Sequence, residues 1–543
     1  MSNQFSWVTR FLERPHLFVA PVALLFLSVF VALAIGHGEF GSVGLIVGGL
    51  LAGGLALALG RYYWLLIPLA FSADVPAFPL EGRLVELAEA AIVLCSVIFL
   101  VRFALRQQRL TMFRMSHAPV MMFTAWAMFI FWENPVWLSI SGGELGGARF
   151  YAKIIMGLVA FLIMANQQIG ERESRWVIVL VLIGAALSTV RNIAAFYLPA
   201  LGGQAAAAAS AVSSAAAALE GESYYSWHQF IAGVPITVIL LLLSRYKARE
   251  IFSLGRVHTL GLFLVSAALI LFSGKRAGLA SVPACAVFAA IVRKEFGYLA
   301  LWVGGAVTAG TLLIAGQGSL FHLPLTAQRT LSWLPGQWDP ELQSMEGGND
   351  DFRSTLRQLA WEKIQRDPWV GRGYRVDMAL IQQSMDIGGG GLEGQVLPCA
   401  LGSAWHNTWL GYAADLGIPA SILNALILLT FIKKGWRLSI RLPARSWPAT
   451  LAMYITLLTF LRLLTSHTGG HSSNDQFNNW WMYGLLVSLA VKLAKDKEAA
   501  VAAAAGETAP PRAGEPLGLA LPGLAPLRAG GPHRPRLPTS VDS

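Results

Sequence analysis

A polar segment set between long apolar runs carries Arg353-Ser-Thr-Leu-Arg357, then Asp367-Pro-Trp-Val-Gly-Arg372-Gly-Tyr374, then Trp405-His406-Asn407-Thr-Trp-Leu410. Guanidinium groups bind phosphate oxygens through planar, paired donors. Histidine is the side chain best suited to take a proton from a hydroxyl near neutral pH. Arginines followed by a histidine therefore suit the transfer of a group from a phosphate-bearing donor to a hydroxyl. The bland alternative is that His406 is a boundary residue, because it opens an apolar run just after the loop Gly388-Gly-Gly-Gly-Leu-Glu-Gly394.

The elements that must position these residues read as membrane. The 543-residue chain is 55% hydrophobic and only 13% charged, and its mean hydropathy is +0.54. Soluble domains carry nearer a quarter charged residues. Apolar runs recur near 17–36, 41–60, 62–78, 84–105, 118–132, 151–167, 176–198, 228–244, 258–273, 277–293, 297–316, 405–432, 448–466 and 480–495. The reading is an all-α polytopic membrane protein with roughly 12–14 transmembrane helices, each able to cross ~30 Å of hydrocarbon. A β-barrel would need short alternating segments, which are missing. The first run is long for a cleaved signal peptide and is expected to stay as a span. The third is interrupted by Asp74-Val-Pro76.

The net charge of +10 is not a nucleic-acid signature, since no basic module stands apart from the membrane. The basic residues cluster in alternate short loops: Arg102 to Arg114, Arg172 and Arg175, Arg245 to Arg256, Arg293 and Lys294, and Lys433 to Arg445. The positive-inside rule assigns these loops, and with them both termini, to the cytoplasm. The Ala-rich 200–223 stretch and a large loop over 317–404 then face the opposite side. The expected divisions are membrane helices over 1–316, the loop over 317–404, membrane helices over 405–495 and a disordered cytoplasmic tail over 496–543. Three cysteines without CxxC spacing support neither a disulfide framework nor a zinc site. The pair His467 and His471 lacks a third ligand in the sequence.

Given that orientation, Arg83, Arg149, Lys153, Lys275, Arg276 and Arg353 fall on the wrong side for basic residues. Arg191 lies within a span, about fifteen residues or ~22 Å after Trp176. An arginine at such depth is costly and pairs with something. Pairing with local carboxylates, such as Glu86 and Glu89 at i,i+3 spacing, is one reading. The other is an anion site able to hold a lipid diphosphate and stabilise it as a leaving group. His228 opens a span after Tyr224-Tyr-Ser-Trp227 and is a further candidate.

Three of these motifs resemble a known family. Arg353…Asp367-Pro368-x-x-Gly371-x-Gly373, then His406-Asn407-x-x-Leu410…Asp415-x-Gly417, resemble the loop and following helix of bacterial O-antigen ligases and polymerases. Ser273-Gly-Lys-Arg276-Ala-Gly278 resembles the Ser-Arg turn between two of their spans. The order matches over about 225–435. Asp415 stands where the family has Glu, the turn carries an extra Gly-Lys, and the Ala-rich loop and tail have no counterpart.

The resemblance implies a GT-C-type, metal-independent membrane glycosyltransferase of the bacterial inner membrane, with the large loop periplasmic. The donor would be an undecaprenyl-diphosphate-linked glycan. The acceptor would be lipid A–core for a ligase, the reading favoured by the His-Asn motif, or another glycan for a polymerase. It implies His406, Arg276 and Arg353 as catalytic residues, with Arg191, Arg357, Asn407, His228 and Arg372 in substrate binding and no cofactor. A transporter or lipid flippase is the reading from another class, since intramembrane charges mark those too. It predicts paired halves, and no inverted repeat is visible.

Overall fold

The computed structural model describes residues 60–73, 76–80, 83–108, 117–136, 147–197, 231–375, 383, 392–467 and 472–504. The expected span over 17–36, that over 41–60 except Gly60, the Ala-rich loop, His228, His471 and the tail beyond 504 lie outside them. The chain divides into two compact units, Met1–Leu493 and Ala494–Ser543. The candidate site residues all belong to the first.

A 3-10 turn over Gly60–Leu65 leads into helix α1 (Leu66–Ala73). An antiparallel hairpin follows, β1 (Pro76–Leu80) with β2 (Arg83–Glu86). This corrects the expected span over 62–78: Pro76 can neither donate to a helix nor escape a clash with the preceding turn. Then come α2 (Leu87–Ala104), α3 (Ala118–Glu133), α4 (Ala148–Ala165), α5 (Glu171–Tyr197), α6 (Gly233–Arg245) and the short α7 (Ala248–Ile251). Next are α8 (Val257–Phe272), α9 (Arg276–Val292) and α10 (Phe296–Gly316). The expected loop holds α11 (Leu325–Leu331), α12 (Pro340–Arg366) and α13 (Leu392–Leu401). The chain continues through α14 (Thr408–Leu416), α15 (Ile418–Arg441), α16 (Trp447–Thr465) and α17 (Ser472–Ala504).

Among the described residues, six helices are long and apolar enough to cross a membrane: α2, α4, α5 over 171–193, α10, α15 and α16. Shorter apolar helices are α3, α6, α8 and α9. The chain is a helical membrane protein. α10 makes the physical case most clearly, because Val303, Val307 and Leu312 stand exposed along it, an arrangement that suits lipid and not water.

The main core is continuous through the helices and includes Phe123, Phe161, Phe431, Tyr412, Trp480 and Tyr483. Phe431 and Tyr483 stack at 4.3 Å, tying α15 to α17. A smaller core sits under α12. Leu356, Ala360 and Ile364 follow at i, i+4 and i+8 and bury against Val396 and Ala400 of α13, Ala413 and Ala414 of α14, and Trp405. The polar segment is therefore a packed helical layer, amphipathic at helical period.

The expected continuous span over 405–432 is broken. Gly417, at φ +82°, ends α14 after nine residues, and α15 restarts at Ile418. A glycine adopts this left-handed conformation without steric cost. The membrane-crossing helix is α15, displaced about ten residues from the expected position because the helix breaks at Gly417.

Candidate functional site

Two of the motifs explain each other. The Asp367–Gly373 turn lies on the break between α14 and α15. Helices leave their last carbonyls without internal partners, and here those of α14 are taken up one by one. The Arg372 amide donates to Ala414 O at 3.1 Å and the Gly373 amide to Asp415 O at 2.8 Å. The Trp126 indole donates to Leu416 O at 2.8 Å, and the Ile418 amide donates to Pro368 O at 2.8 Å. Gly371, at φ +67°, approaches so closely that a Cβ there would stand 2.6 Å from the Gly417 nitrogen. Gly371 of the Pro-x-x-Gly-x-Gly stretch and Gly417 of Asp-x-Gly thus permit one backbone-to-backbone contact.

Inside that contact lies a charged cluster. Asp415 is fully buried. Its carboxylate accepts from Arg372 Nε at 2.8 Å and from Trp405 Nε1 at 3.1 Å. Arg372 Nη2 also donates to Ser403 Oγ at 2.7 Å. Arg372, expected in substrate binding, thus has its Nε and Nη2 engaged within the fold. Removing one partner of such a pair costs about 3–5 kcal/mol. Lys363 Nζ of α12 stands 5.1 Å from the Trp405 ring centroid, and the Arg372 guanidinium carbon 5.2 Å from it.

His406 follows Trp405 and is exposed. It has φ +49°, and Ser403 has φ +61°. Each non-glycine residue in this region costs roughly 1–2 kcal/mol, although histidine tolerates it better than most. The His406 ring meets Phe352 of α12 edge to face at 5.8 Å. Asn407 is buried and caps α14, its Oδ1 accepting from the Leu410 amide at 3.1 Å. Asn407, expected in substrate binding, thus has its side-chain oxygen engaged in a helix N-cap. The Thr408 amide donates to Ser466 O at 2.9 Å, joining the start of α14 to the end of α16.

Arg353 is the neighbour of Phe352 on α12, and Arg357 is exposed one turn further on. Arg276 begins α9. Its Nε donates to the Arg329 carbonyl at 2.9 Å and its Nη2 to Ser332 Oγ at 2.8 Å, so it braces the end of α11, where a cation is favoured. The charges of Arg329, Asp350 and Arg353 all act on the Arg276 guanidinium. The structure thus draws Arg276 and Arg353 together, with Arg329 as a third arginine, and sets His406 against the residue beside Arg353.

Arg191 Nε and Nη2 reach Asn192 Oδ1 at 3.1 and 2.6 Å. Two of the misplaced cations take the local-carboxylate reading. Arg149 Nη2 lies 3.0 Å from Glu89 Oε1, and the buried Lys153 Nζ lies 2.6 Å from Glu86 Oε1. They fasten α4 to the start of α2.

Sequence reasoning missed two arginines. Arg329 lies in the short α11 and carried no motif. Arg462 was detectable by the rule that singled out Arg191, because it interrupts the apolar run 448–466. It lines a cavity of about 20 Å³ with Asn424, Ser466, Asn479 and Tyr483, space for about one water. That cavity is too small for a sugar or a diphosphate; the carbonyl of its lining residue Ser466 accepts from the Thr408 amide.

No protein-family model matches this chain, and no curated protein matches it.

Proposed function

We propose that the chain is a membrane glycosyltransferase of the O-antigen ligase type. It moves a glycan from undecaprenyl diphosphate to a hydroxyl on lipid A–core, at the periplasmic face of the bacterial inner membrane. The reading rests on the resemblance of three ordered motifs. The observation that supports it is that Arg276, at the start of α9, lies within electrostatic reach of Arg353 of α12, while the His406 ring touches Phe352, the residue before Arg353.

In this reading the acceptor hydroxyl oxygen attacks the anomeric carbon as the bond to the diphosphate oxygen breaks. His406 takes the hydroxyl proton, a contribution of about 10²–10⁴-fold in general. The diphosphate leaves with its negative charge beside Arg276 and Arg353, where aimed cations stabilise it most. Arg357, exposed on the same helix, extends the cationic strip. An activated lipid donor needs no nucleotide or metal for this step.

The test is His406→Ala and Arg276→Ala, each compared with wild type for membrane abundance, lipopolysaccharide and lipid-linked glycan. A ligase predicts loss of long chains from lipid A–core with polymer accumulating on the lipid carrier, by at least about 100-fold for His406→Ala. Accumulation of single lipid-linked repeat units instead assigns the polymerase reaction. Unchanged glycans in both variants, at normal abundance, exclude the enzyme reading and leave transport of the lipid-linked glycan.

A further inference from the structure

We propose that Asp415 is a positioning residue for His406, acting through Trp405 and Arg372. The inference rests on the reading of His406 as the proton acceptor and adds to it the device that aims the imidazole.

The turn from Ser403 to Asn407 contains two non-glycine residues in the left-handed region, Ser403 and His406. Such conformations persist only where surrounding structure over-determines them, and they concentrate at functional sites. One ion pair reaches this turn at two points, Ser403 and Trp405. Arg372 grips the Ser403 hydroxyl, while Asp415 grips both Arg372 and the Trp405 indole. On the other side, Asn407 is locked as the cap of α14 and Thr408 is bonded to the end of α16. His406 is bracketed between two immobilised neighbours, and it alone of the residues from Trp405 to Thr408 is exposed.

Asp415 itself has no route to substrate, since it is fully buried. Its carboxylate uses one oxygen for Arg372 and the other for Trp405. A buried pair of this kind adds little net stability over an apolar replacement; what this one supplies is a fixed geometry. A group held in place by packing and outer hydrogen bonds is what a proton transfer requires. Small displacements of a reacting group are expensive in rate, because the reaction needs a near-attack arrangement.

The test uses the purified full chain with undecaprenyl-diphosphate-linked glycan and lipid A–core. Asp415→Asn and Trp405→Phe are expected to lower kcat about 10–100-fold. KM for the donor stays within about threefold, since orientation and not uniform binding is lost. Asp415→Glu, which restores the carboxylate, recovers more turnover than Asp415→Asn. A change in KM without a change in kcat would overturn the assignment. Should Asp415→Asn fail to accumulate in membranes, Trp405→Phe decides, because it keeps the aromatic ring and the Asp415–Arg372 pair. Wild-type turnover in Trp405→Phe, with His406→Ala inactive, removes the positioning role and leaves the transferase standing. Wild-type turnover in His406→Ala removes the transferase reading itself.

Discussion

At the scale of single residues, the same side-chain type serves different ends according to what lies within reach. Arg276 and Arg353 share one electrostatic neighbourhood; Arg372 is taken by Asp415, and Arg149 by Glu89. Lys363 shows the cost of such crowding. Burial first, and then the like charge of Arg372, push its ammonium down to about 8. The unfolded value is about 10.4, so between these two pH values the unfolded chain binds more protons than the folded one. Stability therefore rises with pH across that window, and the charged ammonium is a burden below it. Lys363→Met is expected to raise the Tm at pH 7 and to flatten the rise from pH 8 to 10. Thermal unfolding in detergent at stepped pH measures both, and an unaltered slope would mean that another group titrates there.

At the scale of elements, the site depends on a helix that stops. Had α14 run on through Gly417, its final carbonyls would face their own helix and the Asp367–Gly373 turn would have nothing to bind. Gly417→Ala puts a side chain at φ +82° and sets its Cβ against the Trp369 carbonyl. Backbone strain and overpacking together predict a loss of about 2–5 kcal/mol, seen as a lower Tm. Gly304→Ala in α10 is the control. Nothing lies within 4 Å of its added Cβ, so helix propensity alone predicts a gain of about 0.5–1 kcal/mol. Equal effects at the two positions would refute the account of the break.

At the scale of the whole molecule, orientation across the membrane is directly measurable. By the alternation of basic loops, α12 is expected outside the cytoplasm and the end of α15 inside. The experiment starts from a Cys399→Ser background, in which Cys95 and Cys285 are buried. A membrane-impermeant maleimide is expected to label Ser354→Cys, exposed on α12, in intact spheroplasts. Arg441→Cys, exposed at the end of α15, should react only after lysis. The reverse pattern would invert the topology and remove the periplasmic site.

The sequence by itself determined the membrane class, the helical content and the places where chemistry-capable residues concentrate. Those follow from composition and local periodicity, which are properties of neighbouring residues. It also marked the glycines around Asp367–Gly373 and at Gly417, though as separate motifs. Only the tertiary structure decided that these glycines touch one another. It likewise decided that Arg372 and Asn407 hold the scaffold, that Arg329 joins Arg276 and Arg353, and that His406 stands exposed between immobilised neighbours. The reason is physical. Whether an arginine meets a buried carboxylate or other arginines depends on residues dozens of positions away, and the spacing of residues along the chain carries no record of that distance.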